Sequence, residues 1–126
     1  MKILLQTIPH ENQRYSTCGD WFYDNEGTLI INVSEVGNRN FEFLVALHEL
    51  VEVQLCSNRG VTAEQVDEFD MQFEAARKEG DESEPGDSPQ APYRREHFHA
   101  TNIERLVAEQ LGVDWAEYEK QIGELP

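Results

Sequence analysis

The sequence predicts an α+β domain: a small antiparallel sheet of about three strands, then a buried helix, then about three further helices. Three observations predict it. Segments rich in strand-forming residues lie within the first 35 residues, a strongly apolar helical run covers about residues 39–56, and helix-capping signals recur after it. A chain of 126 residues is expected to form one domain, over residues 1–126, with one modest core.

The strands are predicted from two segments. MKILLQTI is rich in Ile and Leu and is followed by Pro9, which predicts a first strand and then a loop over residues 9–20. WFYDNEGTLIINVSE predicts two strands around a turn at residues 24–27, where Asn25, Glu26 and Gly27 supply turn chemistry. A sheet this small needs helices to cover one face.

The helix predicted from about Arg39 to Cys56 carries two apolar stripes, so we expect it to be buried on most sides. His48 and Glu52 fall in the middle of the first stripe. An ionised carboxylate buried there without a partner would cost several kcal/mol. The sequence therefore predicts that another group neutralises them.

The second half of the chain predicts three more helices and one long loop. Thr62-Ala63-Glu64-Gln65 is a capping box that opens the second helix. Residues 79–92 (EGDESEPGDSPQAP) hold five acidic residues and three prolines, which predicts a mobile acidic loop. A third helix is expected from about Tyr93 to Leu111, and a short fourth from Asp114.

Composition excludes some function classes. The formal net charge of −15 disfavours direct nucleic-acid binding, which requires clustered Lys and Arg. The same charge suits a solvated surface, a basic protein partner or mimicry of DNA. Two cysteines, no apolar run of membrane-spanning length and no signal-peptide pattern predict a reduced, cytoplasmic protein without a membrane role. The sequence carries no signal for an oligomeric state.

The strongest chemical signal is H-E-x-x-E within LVALHELVEVQLC, residues 44–56. His48 and Glu52 are four residues apart, so both side chains leave the same helix face one turn apart. This is the geometry of the H-E-x-x-H zinc peptidase helix, with Glu in place of the second His. The motif therefore predicts a divalent metal site, most simply for Zn²⁺.

A catalytic zinc site needs a third protein ligand, and REHFH offers two later histidines on different helix faces. His99 aligns with Ile103 and Leu106, so periodicity favours it for contact with the core. His97 aligns with Glu104, whose carboxylate would orient a ligand or serve as one. The residues alone leave this choice open.

Two other residues are alternatives near the predicted site. Asp70 lies beside apolar residues on the second helix and would orient His48 through the ring N–H that no metal uses. His10, in the loop after the first strand, is a weaker candidate ligand.

Three functions follow from these residues. In the peptidase hypothesis, Glu49 is the general base that takes a proton from a metal-activated water, and an edge strand binds extended peptide. Glu49 lies about 100° round the helix from His48, so it can reach the water without being a ligand. The alternatives are a non-catalytic structural or inhibitory module stabilised by metal, and an acidic protein that binds a basic host partner or mimics DNA.

Several segments also carry a family resemblance: IPHENQRY, GDW, LVALHELVE, FDMQFE and PYRREHFHATNIERLVAEQLGVDWAEYE. In order and spacing they resemble small bacteriophage and prophage proteins with a zincin-like helix, over most of the chain. The resemblance implies that His48, Glu49 and Glu52 are the metal and catalytic positions. Its E-H-x-x-A-x-x-x-E pattern implies that His97 is the third ligand.

Overall fold

The computed structural model describes residues 1–126 and confirms the α+β class. All the predicted helices and strands are present. The strands are β1 (Ile3–Ile8), β2 (Gly19–Tyr23) and β3 (Leu29–Ser34), and the helices are α1 (Arg39–Arg59), α2 (Ala63–Ala75), α3 (Arg94–Gln110) and α4 (Trp115–Gly123).

The sheet is mixed, with strand order β1-β3-β2. β2 and β3 form the predicted antiparallel hairpin, with Trp21 opposite Ile31. β1 pairs with the other side of β3 in parallel, with Ile3 opposite Leu29. The prediction of a wholly antiparallel sheet was wrong for β1, because apolar periodicity indicates that a strand exists but not which neighbour it takes or in which direction.

The core lies between the sheet and α1. Leu29, Ile31 and Val33 alternate along β3, and all three are buried in the main apolar cluster. On the opposite face of β3, Ile30 and Ser34 are also buried and Asn32 is half-buried, as befits the central strand of the sheet. Edge strand β1 is exposed along nearly its whole length.

Helix α1 packs against β2, β3 and α3 with one face only. The Asn38 side chain caps its start by accepting from the Phe41 N–H, and Gly60 ends it with a left-handed φ of 78°. Phe43 and Leu50 on the other face are 51% and 36% exposed. The expectation that the helix is buried on most sides was therefore wrong, because its second apolar stripe (Phe43, Leu47, Leu50 and Val51) is at most half-buried.

The segment between α2 and α3 contains a single short 3-10 turn, Pro85–Asp87, and otherwise irregular backbone. The predicted capping box at the start of α2 is confirmed: the Thr62 hydroxyl accepts from the Gln65 N–H, and the Gln65 side chain accepts from the Thr62 N–H. None of the four helices combines the length and apolar character that a membrane crossing requires.

Candidate metal centre

Three of the predicted ligand residues converge between α1 and α3. His48 Nε2 lies 2.9 Å from Glu52 Oε2 and 3.1 Å from His97 Nδ1, and the last two atoms are also 3.1 Å apart. Three atoms bound to one zinc ion at about 2.1 Å each would lie roughly 3.0–3.4 Å from one another. The triangle is therefore close to the size that a common divalent cation requires.

The two helices bring these groups into a buried position. His48 and Glu52 lie one turn apart on the covered face of α1, and His97 lies near the start of α3. Their exposed fractions are 8%, 4% and 7%. In such surroundings an unpaired charge is costly, so each ionisable group must be paired with a proton donor, an acceptor or a cation.

His48 is oriented by Glu104. Its Nδ1–H donates to Glu104 Oε1 at 2.8 Å, and the other carboxylate oxygen accepts from the Tyr118 hydroxyl at 2.5 Å. Because an ionised carboxylate can only accept, Nδ1 carries a proton, and Nε2 is the ring nitrogen that a metal would take once the proton it shares with Glu52 Oε2 has left. Metal-binding histidines in proteins are held in this way. Of the two roles considered for Glu104, the structure supports orientation, although of His48 and not of His97.

Glu52 is oriented by Trp21. The indole Nε1–H of Trp21, on β2, donates to Glu52 Oε1 at 3.1 Å. This bond occupies one carboxylate oxygen and leaves Oε2 to face the two histidines. Neither Trp21 nor Tyr118 is among the site residues predicted from sequence. Both lie in segments that carry the family resemblance, which is the only signal that points to them.

His97 connects the centre to the segment between α2 and α3. Its Nδ1 faces Glu52, and its Nε2 lies 2.9 Å from Glu84 Oε2 and 3.3 Å from Asp87 Oδ1. Nε2 is buried, and these contacts lack hydrogen-bond alignment. Gly86 packs directly on the ring, since a Cβ there would lie 2.6 Å from His97 Nδ1.

The structure places His99 outside the centre. His99 is exposed, and so are Ile103 and Leu106, with which it shares a face. The periodicity argument for His99 was wrong because the covered face of α3 is mostly ionisable rather than apolar. That face consists of Glu96, His97, Ala100, Glu104 and Ala108.

Asp70 and His10 also lie elsewhere. Asp70 is buried and accepts hydrogen bonds from the hydroxyls of Tyr15 and Tyr93, at 3.0 and 2.5 Å. Asp70 does not orient His48, because the Nδ1 atom of His48 is already hydrogen-bonded to Glu104. His10 contacts Ser34 Oγ and the Pro126 carbonyl, so it is not close to the other candidate ligands.

Glu49 is half-buried beside the centre and has no hydrogen-bond or ion-pair partner in the protein. It packs on Gly19 of β2, where a Cβ would lie 2.6 Å from Glu49 Oε1. Burial, and then the negative charge of Glu52, raise the pKa of Glu49 well above its ordinary value. An unpartnered carboxylate of raised pKa is a suitable proton acceptor.

Without a metal, protons hold the cluster together. Burial opposes charge on His97, but its contacts with Glu52 and Glu84 raise its pKa to about 10. Burial likewise opposes charge on Glu52, yet hydrogen bonds from His48 and His97 lower its pKa to about 2. No Lys or Arg contacts Glu49, Glu52 or Glu104, so a divalent cation would compete with these protons for the same atoms.

No protein-family model, curated protein or solved structure matches this chain.

Proposed function

We propose that the protein is a zincin-like metal-binding protein that hydrolyses peptide bonds. The observation that carries the proposal is the convergence of His48 Nε2, Glu52 Oε2 and His97 Nδ1, within 2.9–3.1 Å of one another. Two imidazoles and one carboxylate suit Zn²⁺, and three protein ligands are the number that catalytic zinc sites use.

The chain's own residues prepare these atoms for a cation. Glu104 fixes the proton of His48 on Nδ1, and Trp21 occupies the Glu52 oxygen that faces away from the histidines. A bound zinc ion would supply Lewis acidity and lower the pKa of a water molecule in its open position to about 7. Glu52 in place of a histidine adds negative charge, so that water should be less acidic than in an H-E-x-x-H site.

Glu49 acts as the general base. It accepts a proton from the attacking water while the water oxygen bonds to the carbonyl carbon of the peptide. It then gives the proton to the amide nitrogen as the C–N bond breaks, which releases an amine and a carboxylic acid; the proton of the acid passes to the amine or to solvent. Its lack of any partner in the protein leaves its carboxylate free for this transfer.

The peptide would pair with the outer edge of β2, a strand that is buried from Gly19 to Trp21 and exposed at Tyr23. Hydrogen bonds from Ser34 N–H to the Cys18 carbonyl and from Asp24 N–H to the Thr28 carbonyl show which residues of the hairpin point their backbone groups at the partner strand. Every second residue does so. In that register the backbone groups of Trp21 face away from β3. An extended peptide paired there would lie on the strand that contacts both Glu49 and Glu52.

The test is cleavage of a mixed peptide library by the zinc-loaded protein, with products identified by mass spectrometry. Glu49→Gln should lower the rate by about 10²-fold or more and keep the metal, because Glu49 is not a ligand. Glu109→Gln, an exposed change of equal charge on α3, should cleave as the wild type does. A zinc-loaded wild type that cuts no peptide, or a Glu49→Gln variant of full activity, would overturn the hydrolase proposal.

The buried state of the centre favours a second candidate, a structural or inhibitory module that the metal stabilises without catalysis. His48, Glu52 and His97 are almost fully buried, and Gly86 covers the ring of His97. In that case a chelator lowers the melting temperature, but Glu49→Gln has no functional effect. Both candidates suit a cytoplasmic protein, in which Cys18 and Cys56 stay reduced.

A further inference from the structure

We infer that the acidic loop, residues 79–92, is part of the metal centre: Glu84 accepts the Nε2 proton of His97 when Nδ1 binds a cation. Cation binding and loop closure then stabilise each other. This inference rests on the metal site proposed above and adds a positioning residue and a form of regulation to it.

The contact geometry supports the assignment. The 3-10 turn Pro85–Asp87 places Glu84 and Asp87 on either side of His97 Nε2, at 2.9 and 3.3 Å. The side chain of His97 is about nine-tenths buried, and Nε2 has no aligned hydrogen-bond partner. A small rotation of the exposed Glu84 side chain would complete the bond, because the distance is already that of a hydrogen bond.

The chemistry of imidazole requires an acceptor at this position. A neutral ring that uses the Nδ1 lone pair for a cation carries its proton on Nε2. The other histidine, His48, already has such an acceptor in Glu104. Glu84 would do for His97 what Glu104 does for His48, so that a carboxylate supports each imidazole.

The two ends of the acidic loop are attached independently of the centre. Arg77 donates to the carbonyls of Asp81 and Ser83, and Arg59 donates to the carbonyl of Pro92 at 2.7 Å. The middle of the loop reaches the centre through Gly86 and Glu84, both against His97. The turn Pro85–Asp87 also packs on α2 and α3, so the state of the His97 ring should change the order of the loop without alone deciding it.

The first measurement is Zn²⁺ affinity, by competition with a chromophoric chelator. Glu84→Gln should bind Zn²⁺ about 10- to 100-fold more weakly than the wild type. Glu82→Gln is the matched control, since Glu82 is an exposed acid of the same loop with no partner, and it should stay within about twofold. Glu84 is itself 59% exposed at the side chain, so its variant is expected to fold, as circular dichroism will check.

The second measurement is hydrogen–deuterium exchange of residues 79–92 with and without Zn²⁺. Coupling is reciprocal, so Zn²⁺ should slow exchange in this segment of the wild type and of Glu82→Gln but much less in Glu84→Gln. A merely structural role for Glu84 would change exchange equally in both metal states.

Each outcome separates the two proposals. Zinc binding by the wild type with equal affinity in Glu84→Gln and Glu82→Gln overturns the role of Glu84 and leaves the metal site standing. Two zinc ions per wild-type chain, falling to one in Glu84→Gln, would make Glu84 the ligand of a second ion and also overturn it. No zinc binding by the wild type overturns the proposed function itself.

Discussion

At the scale of single residues, the centre is defined by how its buried groups are paired. Glu104 and Trp21 each occupy one atom of a ligand residue, and each leaves the other atom facing the same point. A buried carboxylate or imidazole with only one of its two polar atoms assigned needs a further partner. The three remaining atoms have only one another, which is why a cation is the simplest completion.

The role of Trp21 is tested by Trp21→Phe. Loss of the indole N–H frees Glu52 Oε1 and lets the carboxylate rotate, so zinc affinity should fall by about 10-fold or more in a competition titration. Trp115→Phe is the control, because the Trp115 ring meets Tyr118 edge to face but its N–H has no acceptor in the protein. Equal zinc affinity in the wild type and Trp21→Phe would contradict the orienting role.

At the scale of helices and strands, local pattern predicted most of what was found. The spacing of His48, Glu49 and Glu52 is visible in the sequence because all three lie on one helix. The partners Trp21 and Tyr118 come from a strand and a helix far along the chain, and no local pattern reports such contacts. The parallel pairing of β1 was missed for the same reason.

The covered face of α3 shows the limit of apolar periodicity. His97 and Glu104 lie on that face, whereas Leu106 is 65% exposed. An inner face built from ionisable groups looks like an outer face to any hydrophobicity pattern. The family resemblance implied His97 from a residue pattern, and the structure does bring His97 to the cluster.

The fit of β2 on α1 gives a prediction at this scale. In Gly19→Ala the new Cβ would lie 2.6 Å from Glu49 Oε1 and 2.7 Å from Val45 Cγ1. The two elements must separate or Glu49 must move, so urea denaturation should show a loss of about 1–3 kcal/mol and peptide cleavage should fall. Gly123→Ala, where a Cβ meets nothing within 4 Å, should be neutral or slightly stabilising. A Gly19→Ala variant of wild-type stability would show that the contact is not tight.

At the scale of the whole molecule, a chain of net charge −15 holds its ionisable cluster with protons when no metal is bound. Glu52 stabilises the fold above its ordinary pKa of 4.5, and that stability is lost as pH falls towards its folded pKa of about 2. His97 stabilises the fold fully below 6.5, and that stability is lost as pH rises to its folded pKa of about 10. Asp70 acts in the same direction as His97. Burial raises the pKa of Asp70 to about 7, so its contribution to stability is lost as pH rises from 3.8 to 7.

The metal-free protein should therefore be most stable near pH 4, where the gain from ionised Glu52 is nearly complete and the loss from Asp70 begins, and its free energy of unfolding should fall on the order of 1 kcal/mol per pH unit above pH 7. The stabilisation that Zn²⁺ adds should instead increase with pH, because the ligands must lose their protons to bind it. Urea denaturation at pH 6, 7.5 and 9, with Zn²⁺ and with chelator, checks both trends. A stabilisation by Zn²⁺ that is larger at pH 6 than at pH 7.5 would contradict this account.

Zinc stoichiometry, measured by equilibrium dialysis of the metal-free protein, tests the central claim most directly. The wild type and Glu49→Gln should each bind one Zn²⁺ per chain at micromolar free zinc. Glu52→Gln should bind Zn²⁺ about 10-fold more weakly or worse, because the substitution removes a charged ligand. A wild type that binds no zinc under these conditions, or a Glu52→Gln variant that binds it equally well, would contradict the proposed centre.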